Sequence, residues 1–183
     1  MQTSRHNGSA ITLHTQRGFT LVELMVTVAV AIIMLAVAVP GFNDITRSNK
    51  LTTHVNTFVL ALRLARNEGI KSSGATLCAS NNQTSCAGGD WTKGWILFSD
   101  FDLDGAVDAG EPIIRVNEAM PTTFTLPTVS ATTVTYAGTG FLNSAGASLT
   151  VTFCGGRTGT GAGRTVTVSR TGRPTTTNYD SCT

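Results

Sequence analysis

Residues 19–39 form one apolar run broken only by Thr20, Glu23 and Thr27, and this run constrains the chain more than any other feature. Its 21 residues match the roughly 20 that a helix needs to cross about 30 Å of hydrocarbon, so the sequence predicts a membrane-spanning helix over 19–39. A secretory signal peptide would be charged, then apolar, then cut after small residues on the far side of its apolar core. No small-x-small site follows this core, and Pro40, Gly41 and Phe42 lead straight into a second helical pattern. The apolar stretch is therefore expected to be kept.

An ionisable group in such a segment is costly unless paired, which makes Glu23 a functional residue by default. A cut between Gly18 and Phe19 would create an α-amine one helical turn from Glu23, at the spacing where opposite charges meet. The competing reading is an ordinary single-span anchor whose Glu23 is tolerated at headgroup depth.

Arg17 and Gly18, then Phe19, Thr20, Leu21, Val22 and Glu23, then a long apolar helix, resemble the type III signal of type IV pilins and pseudopilins. The resemblance implies that residues 1–18 are a leader removed after Gly18 by a prepilin peptidase, which also methylates the Phe19 amine. It further implies that Glu23 guides docking onto the Phe19 amine of a neighbouring subunit in a growing filament.

The 165 residues after position 18 leave enough, beyond the span, for one soluble domain with its own core. A net charge of +2 argues against a generic polyanion binder, but the charge is unevenly placed. Between Asp90 and Glu118 seven acidic residues face only Lys93 and Arg115, whereas Arg157, Arg164, Arg170 and Arg173 follow Gly138 against Asp180 alone. Arg5 and Arg17 favour a cytoplasmic N-terminus, which places everything after the span outside. The four cysteines, Cys78, Cys86, Cys154 and Cys182, then lie in an oxidising compartment and read as disulfides. Of three connectivities, the local Cys78–Cys86 loop and a Cys154–Cys182 staple of the C-terminal tail are favoured. The loop-entropy account gives them about 2.5 and about 3.6 kcal/mol. A zinc site is disfavoured, since there is no C-x-x-C pair and no nearby histidine.

Beyond Pro40, apolar Leu51, Val55, Phe58, Val59, Leu62 and Ala65 recur at helical spacing, giving an amphipathic helix over 40–71. Pro40 removes one hydrogen bond and is expected to kink the run rather than end it. A single helix from 20 to 71 would be about 78 Å long. After Gly69 short alternating runs bounded by Gly, Asn, Asp and Pro predict strands near 75–80, 94–99, 112–116, 132–136, 148–154 and 164–169. Short turn-rich loops between them imply antiparallel pairing within a β-rich head over 72–183.

The head deepens the resemblance. The run Leu62, Arg63, Leu64, Ala65, Arg66, Asn67, Glu68, Gly69, Ile70, Lys71, then Thr76, Leu77, Cys78, then Gly94, Trp95, Ile96, Leu97, Phe98, and finally Gly110, Glu111, Pro112, Ile113, Ile114, Arg115, is similar to the GspH/FimT family of minor pilins and pseudopilins. This implies an α+β, pilin-like fold: a long helix packed on a sandwich-like, antiparallel two-sheet head. It also implies a non-enzymatic subunit, single-pass in the inner membrane with a periplasmic head, that joins other pilins in a type IV pilus or a type II secretion pseudopilus. The two cysteine pairs favour the pilus branch.

Two constellations stand out in the head. Asp100, Asp102, Asp104, Ala106, Asp108 and Glu111 occupy every ligand position of the calcium-loop pattern D-x-D-x-D-G-x-x-D-x-x-E, with Gly105 at the sharp turn. The flanks read as strands rather than the helices of an EF-hand, and a solvated Asp/Gly hairpin uses the same residue types. No cofactor is required by this reading, and calcium is the one candidate. Arg157, Arg164, Arg170 and Arg173 form a basic set able to grip phosphates without sequence preference. The FimT branch of the family binds DNA during uptake through a Gly-Arg-x-Arg tail motif. Here Gly172 and Arg173 match, while Thr175 stands in place of the second arginine. Four solvated surface arginines are the plainer alternative.

Catalysis finds no support. His6 and His14 fall in the expected leader and His54 is alone on the helix, so no nucleophile–base set can be assembled. Trp91 and Trp95 are expected as core or loop anchors.

Overall fold

The computed structural model describes residues 18–87, 89–143 and 148–183. Apart from Gly18, the expected leader therefore lies outside the described residues, and with it Arg5, His6, His14 and Arg17. One helix, α1 (Leu21–Ser72), passes Pro40 without ending. The chain divides into two compact units, up to Gly41 and from Phe42 to Thr183.

In the first unit α1 starts at a capping signal. Thr20 Oγ1 accepts the Glu23 backbone N–H at 3.2 Å, so Thr20 is the N-cap and Glu23 the third helical residue, where a carboxylate meets the positive end of the helix dipole. From there Leu, Val, Met, Ala and Ile fill the helix with no Gly or Pro until Pro40. Every residue described from Leu21 to Val39 is exposed within the monomer.

In the second unit α1 becomes amphipathic. Leu51, Val55, Phe58, Ala61, Leu62 and Ala65 are fully buried, while Val59 is only half-buried. Ser73, in the left-handed region at φ 71°, ends the helix, with Ser72 Oγ donating to Glu68 O at 2.6 Å and to Gly74 O at 2.9 Å.

Eight strands follow: β1 (Gly74–Ala79), β2 (Trp95–Ser99), β3 (Ile113–Asn117), β4 (Thr125–Val129), β5 (Thr133–Ala137), β6 (Leu149–Cys154), β7 (Gly163–Val168) and β8 (Pro174–Tyr179). They form two antiparallel sheets ordered β3-β2-β1-β5 and β4-β6-β7-β8. The main core gathers the buried face of α1 with Leu77 and Ala79 of β1, Trp95 and Leu97 of β2, Val134 and Tyr136 of β5, Leu149, Val151 and Phe153 of β6, and Val166 and Val168 of β7. These are alternate residues of each strand, the period-2 pattern of a sheet with one face inward. Sheet β3-β2-β1-β5 is covered on its other face too, where Cys78, Ile96 and Phe98 pack with Cys86, Val107 and Ile113.

Six strands agree with the sequence reading to within about a residue or two; β4 and β8 are additions. Both are sheet edges, and their described faces are mostly exposed. β4 carries Pro127, which cannot donate to a ladder and is tolerated only at an edge, and β8 is nearly all polar. Neither presents the alternating apolar signal that marks a strand in sequence.

The structure joins Cys78 to Cys86 and Cys154 to Cys182, with Cα atoms 5.5 and 5.7 Å apart. The first bond ties the 81–86 loop to β1. The second ties the tail to the end of β6 in a small cluster with Ala162 and Tyr179. Gly163 makes room for it: a Cβ there would stand 2.6 Å from Cys182 Sγ and 2.8 Å from Phe153 O.

Candidate functional site

Glu23 sits in the first turn of a helix whose apolar surface, through Val39, has nothing over it among the described residues. Leu21, Val22, Leu24, Met25, Ile32, Ile33, Met34, Leu35 and Val37 are each more than half exposed. A soluble protein does not leave a surface of this size uncovered, so lipid or other apolar helices must take it up. Phe19 is exposed two residues before the helix starts, and among the described residues a Cβ on Gly18 would meet nothing within 4 Å. Glu23 is the one acidic residue in the 19–39 segment.

The acidic loop connects β2 to β3 and is built outward from a buried end. Asp100 is fully buried; its N–H donates to Gly74 O at 3.1 Å, and its Oδ2 accepts from Thr76 Oγ1 at 2.5 Å and from Gly105 N at 3.1 Å. Thr76 in turn shares a hydrogen bond of 2.7 Å with Thr135 of β5. Gly74 permits this close approach, since a Cβ there would overlap Asp100 O. One carboxylate oxygen from each of Asp100, Asp102 and Asp104 lies within 4.8 Å of the others. Asp108 and Glu111 are not part of that group. Glu111 instead closes the loop, its Oε1 accepting from Phe101 N at 2.7 Å and its Oε2 from Asp108 N at 3.0 Å. Of the five carboxylates in the six-ligand set expected from the sequence, three are thus assembled. Antiparallel strands bring the loop ends together, and Glu111 serves as the clasp between them.

The four arginines do not form one patch. Arg164 opens β7, where its guanidinium donates to Gly161 O and Gly163 O, and Arg157 stands 3.9 Å from Asp44. Arg170 and Arg173 follow Val168, at the opposite end of the same strand, about 17–20 Å away by strand rise. Nor is the set remote from the acidic loop: Leu142 N donates to Arg170 O at 3.1 Å, while the adjacent Asn143 side chain donates to Leu103 O at 3.3 Å. Arg173 instead lines a cleft with Arg63, Arg66 and Asn67 of α1. The sequence reading did not group those helix arginines with Arg173, because only strand direction reveals that the β7–β8 turn returns to the helix.

His54 on α1 is half-buried, with its ring edge-to-face on Phe124 at 4.6 Å between centroids. Burial lowers its pKa below the usual 6.5. Protonation then favours the unfolded chain, so stability attributable to His54 is present above pH 6.5 and falls as the pH drops through its folded-state pKa. His54→Gln should flatten the difference in urea midpoint between pH 7.5 and pH 5; an unchanged difference would assign that slope to other groups. Trp91 and Trp95 are buried anchors, and Trp91 Nε1 donates to Ala131 O at 2.9 Å.

Known proteins agree with this geometry at both ends of the chain. Residues 13–39 match the prokaryotic N-terminal methylation motif, and residues 54–172 match the family described as type II transport protein GspH. The prepilin peptidase-dependent protein D of Escherichia coli K12 is 43% identical over 44 residues, covering 24% of this chain and 30% of that protein. A fimbrial protein of Pseudomonas aeruginosa is 40% identical over 58 residues, 32% of this chain and 37% of its own length. The chain thus spans about a third of the length of these relatives. Among solved structures, the type IV minor pilin FimU of Pseudomonas aeruginosa PAO1 superposes with a TM-score of 0.55 at 20% identity, over 76% of this chain and 99% of that one. A second crystal form of FimU gives 0.52 over 73% and 100%. These superpositions show a shared fold, and the family match over 54–172, most of the head, shows the lineage: the chain belongs to the GspH family.

Proposed function

We propose that the chain is a minor pilin or pseudopilin. It is cut between Gly18 and Phe19 by a prepilin peptidase, methylated on the Phe19 amine, and held in the inner membrane by 19–39 with its head in the periplasm. From there it assembles with other pilins into a type IV pilus or a type II secretion pseudopilus. The observation that carries this reading is the uncovered apolar helix with a single carboxylate in its first turn, lying within the match to the methylation motif. In the membrane lipid covers that helix; in a filament the same surface is covered by equivalent helices. The role is structural: the helix supplies packing, Glu23 supplies register, and the β-head supplies contacts with neighbours.

Mass analysis of the mature N-terminus tests the proposal. A chain beginning at N-methylated Phe19 is expected. An uncut chain, or one beginning after Val39, would overturn it. Deleting the gene in its own host then separates the branches, since one loses surface pili and the other loses secretion of folded proteins.

A further inference from the structure

We propose that the β2–β3 loop is a calcium site built on Asp100, Asp102 and Asp104. The assembled oxygens are one independent observation; the state of Asp100 is another. Asp100 is fully buried, its Oδ2 is satisfied by Thr76 and Gly105, and its Oδ1 has no hydrogen-bond partner among the described residues. A buried carboxylate oxygen left without a partner is costly, and a cation is the ligand that removes the cost. The same Asp100 carboxylate has one oxygen within 4.8 Å of an oxygen from each of two exposed carboxylates, whose mutual repulsion a divalent ion would reverse.

The chemistry of the donors selects the ion. All are carboxylate oxygens, with no histidine or thiolate in the group, which suits a hard cation. Magnesium demands near-ideal octahedral geometry, whereas calcium accepts six to eight oxygens in irregular arrangements, with water completing the shell. Three carboxylates on a hairpin loop with one buried end fit calcium better. The count is low, because Glu111 is engaged in closing the loop, so affinity belongs in the range of extracellular modules, about 10⁻⁴–10⁻³ M. Bound calcium would lock the β2–β3 connection onto β1 and β5 through Asp100, Thr76 and Thr135.

Thermal unfolding and calorimetric titration of the purified full-length chain in detergent micelles test this, with calcium chloride as the probe and magnesium chloride as the comparison. At 10 mM calcium the melting temperature of the head should rise by about 3–10 °C. Asp100→Asn risks misfolding, so the informative variant is Asp102→Asn with Asp104→Asn, both exposed residues. Without calcium that variant should melt at or above the wild-type temperature, and it should lose the calcium response. No shift and no heat in the wild type would overturn the site. A full shift in the double variant would overturn these ligands, and an equal shift with magnesium would overturn calcium as the occupant.

Discussion

Phe58→Ala should destabilise the head by about 3–5 kcal/mol. Phe58 is fully buried on α1, and its ring meets Trp91 at 5.0 Å and Phe153 at 5.3 Å between centroids, both edge-on. Phe153 belongs to β6, whereas Trp91 precedes β2, so this one side chain packs against residues associated with both sheets. Its neighbours cannot collapse into the space. Trp91 is pinned by the hydrogen bond from Nε1 to Ala131 O, and the strands beneath are held by their ladders. Truncation therefore loses the transfer energy of the ring and leaves a cavity as well, which is why the upper range of core substitutions applies. Against a typical stability of about 5–15 kcal/mol, that is a large share. Leu60→Ala is the internal comparison: Leu60 lies on the same helix but is 52% exposed, and its loss should shift stability by about 0.5 kcal/mol or less. Urea unfolding under non-reducing conditions reads both variants. A Phe58→Ala midpoint close to that of Leu60→Ala would mean that the helix is not anchored where the structure places it.

Much of this packing was legible in the sequence. Leu51, Val55, Phe58, Leu62 and Ala65 announced the buried face of α1 because an amphipathic helix writes its core contacts at fixed spacing. Ala61 escaped notice because alanine carries little hydrophobic signal, although between closely packed elements its small size is what fits. Strands rich in apolar residues were readable, the edge strands β3 and β5 included, whereas β4 and β8 were not, because Pro127 interrupts β4 and β8 is nearly all polar. The site residues divide along a similar line. Gly18, Phe19 and Glu23 lie within one short stretch, so the relation expected between them rests on sequence spacing alone. The acidic loop was recognisable as a motif, but which carboxylates converge depends on how a hairpin, rather than a helix pair, closes the loop. The arginines were misgrouped because residues close in sequence lie at opposite ends of β7, while Arg63 and Arg66, a hundred positions from Arg173, share its cleft.

Glu23→Ala should leave membrane insertion and cleavage after Gly18 intact while cutting incorporation into filaments by roughly two orders of magnitude. The helix itself survives the change. The capping bond is made by the Glu23 backbone N–H to Thr20 Oγ1, and alanine has the highest helix propensity. What is lost from the monomer is a favourable placement at the helix N-terminus, worth about 0.3–1 kcal/mol, while removing a charge from the apolar segment eases insertion. The filament loses more. If the Phe19 amine of each incoming subunit is neutralised by a neighbour's Glu23 among packed apolar helices, alanine leaves an ammonium buried without its partner, a situation that costs about 3–5 kcal/mol. Comparing the variant with the wild type in sheared surface or pseudopilus fractions, normalised to processed protein in the membrane, isolates that step. Glu23→Asp, which keeps the charge on a shorter arm, should recover part of the loss. Incorporation of Glu23→Ala within twofold of wild type would show that packing alone sets the register and that the carboxylate serves only the start of the helix.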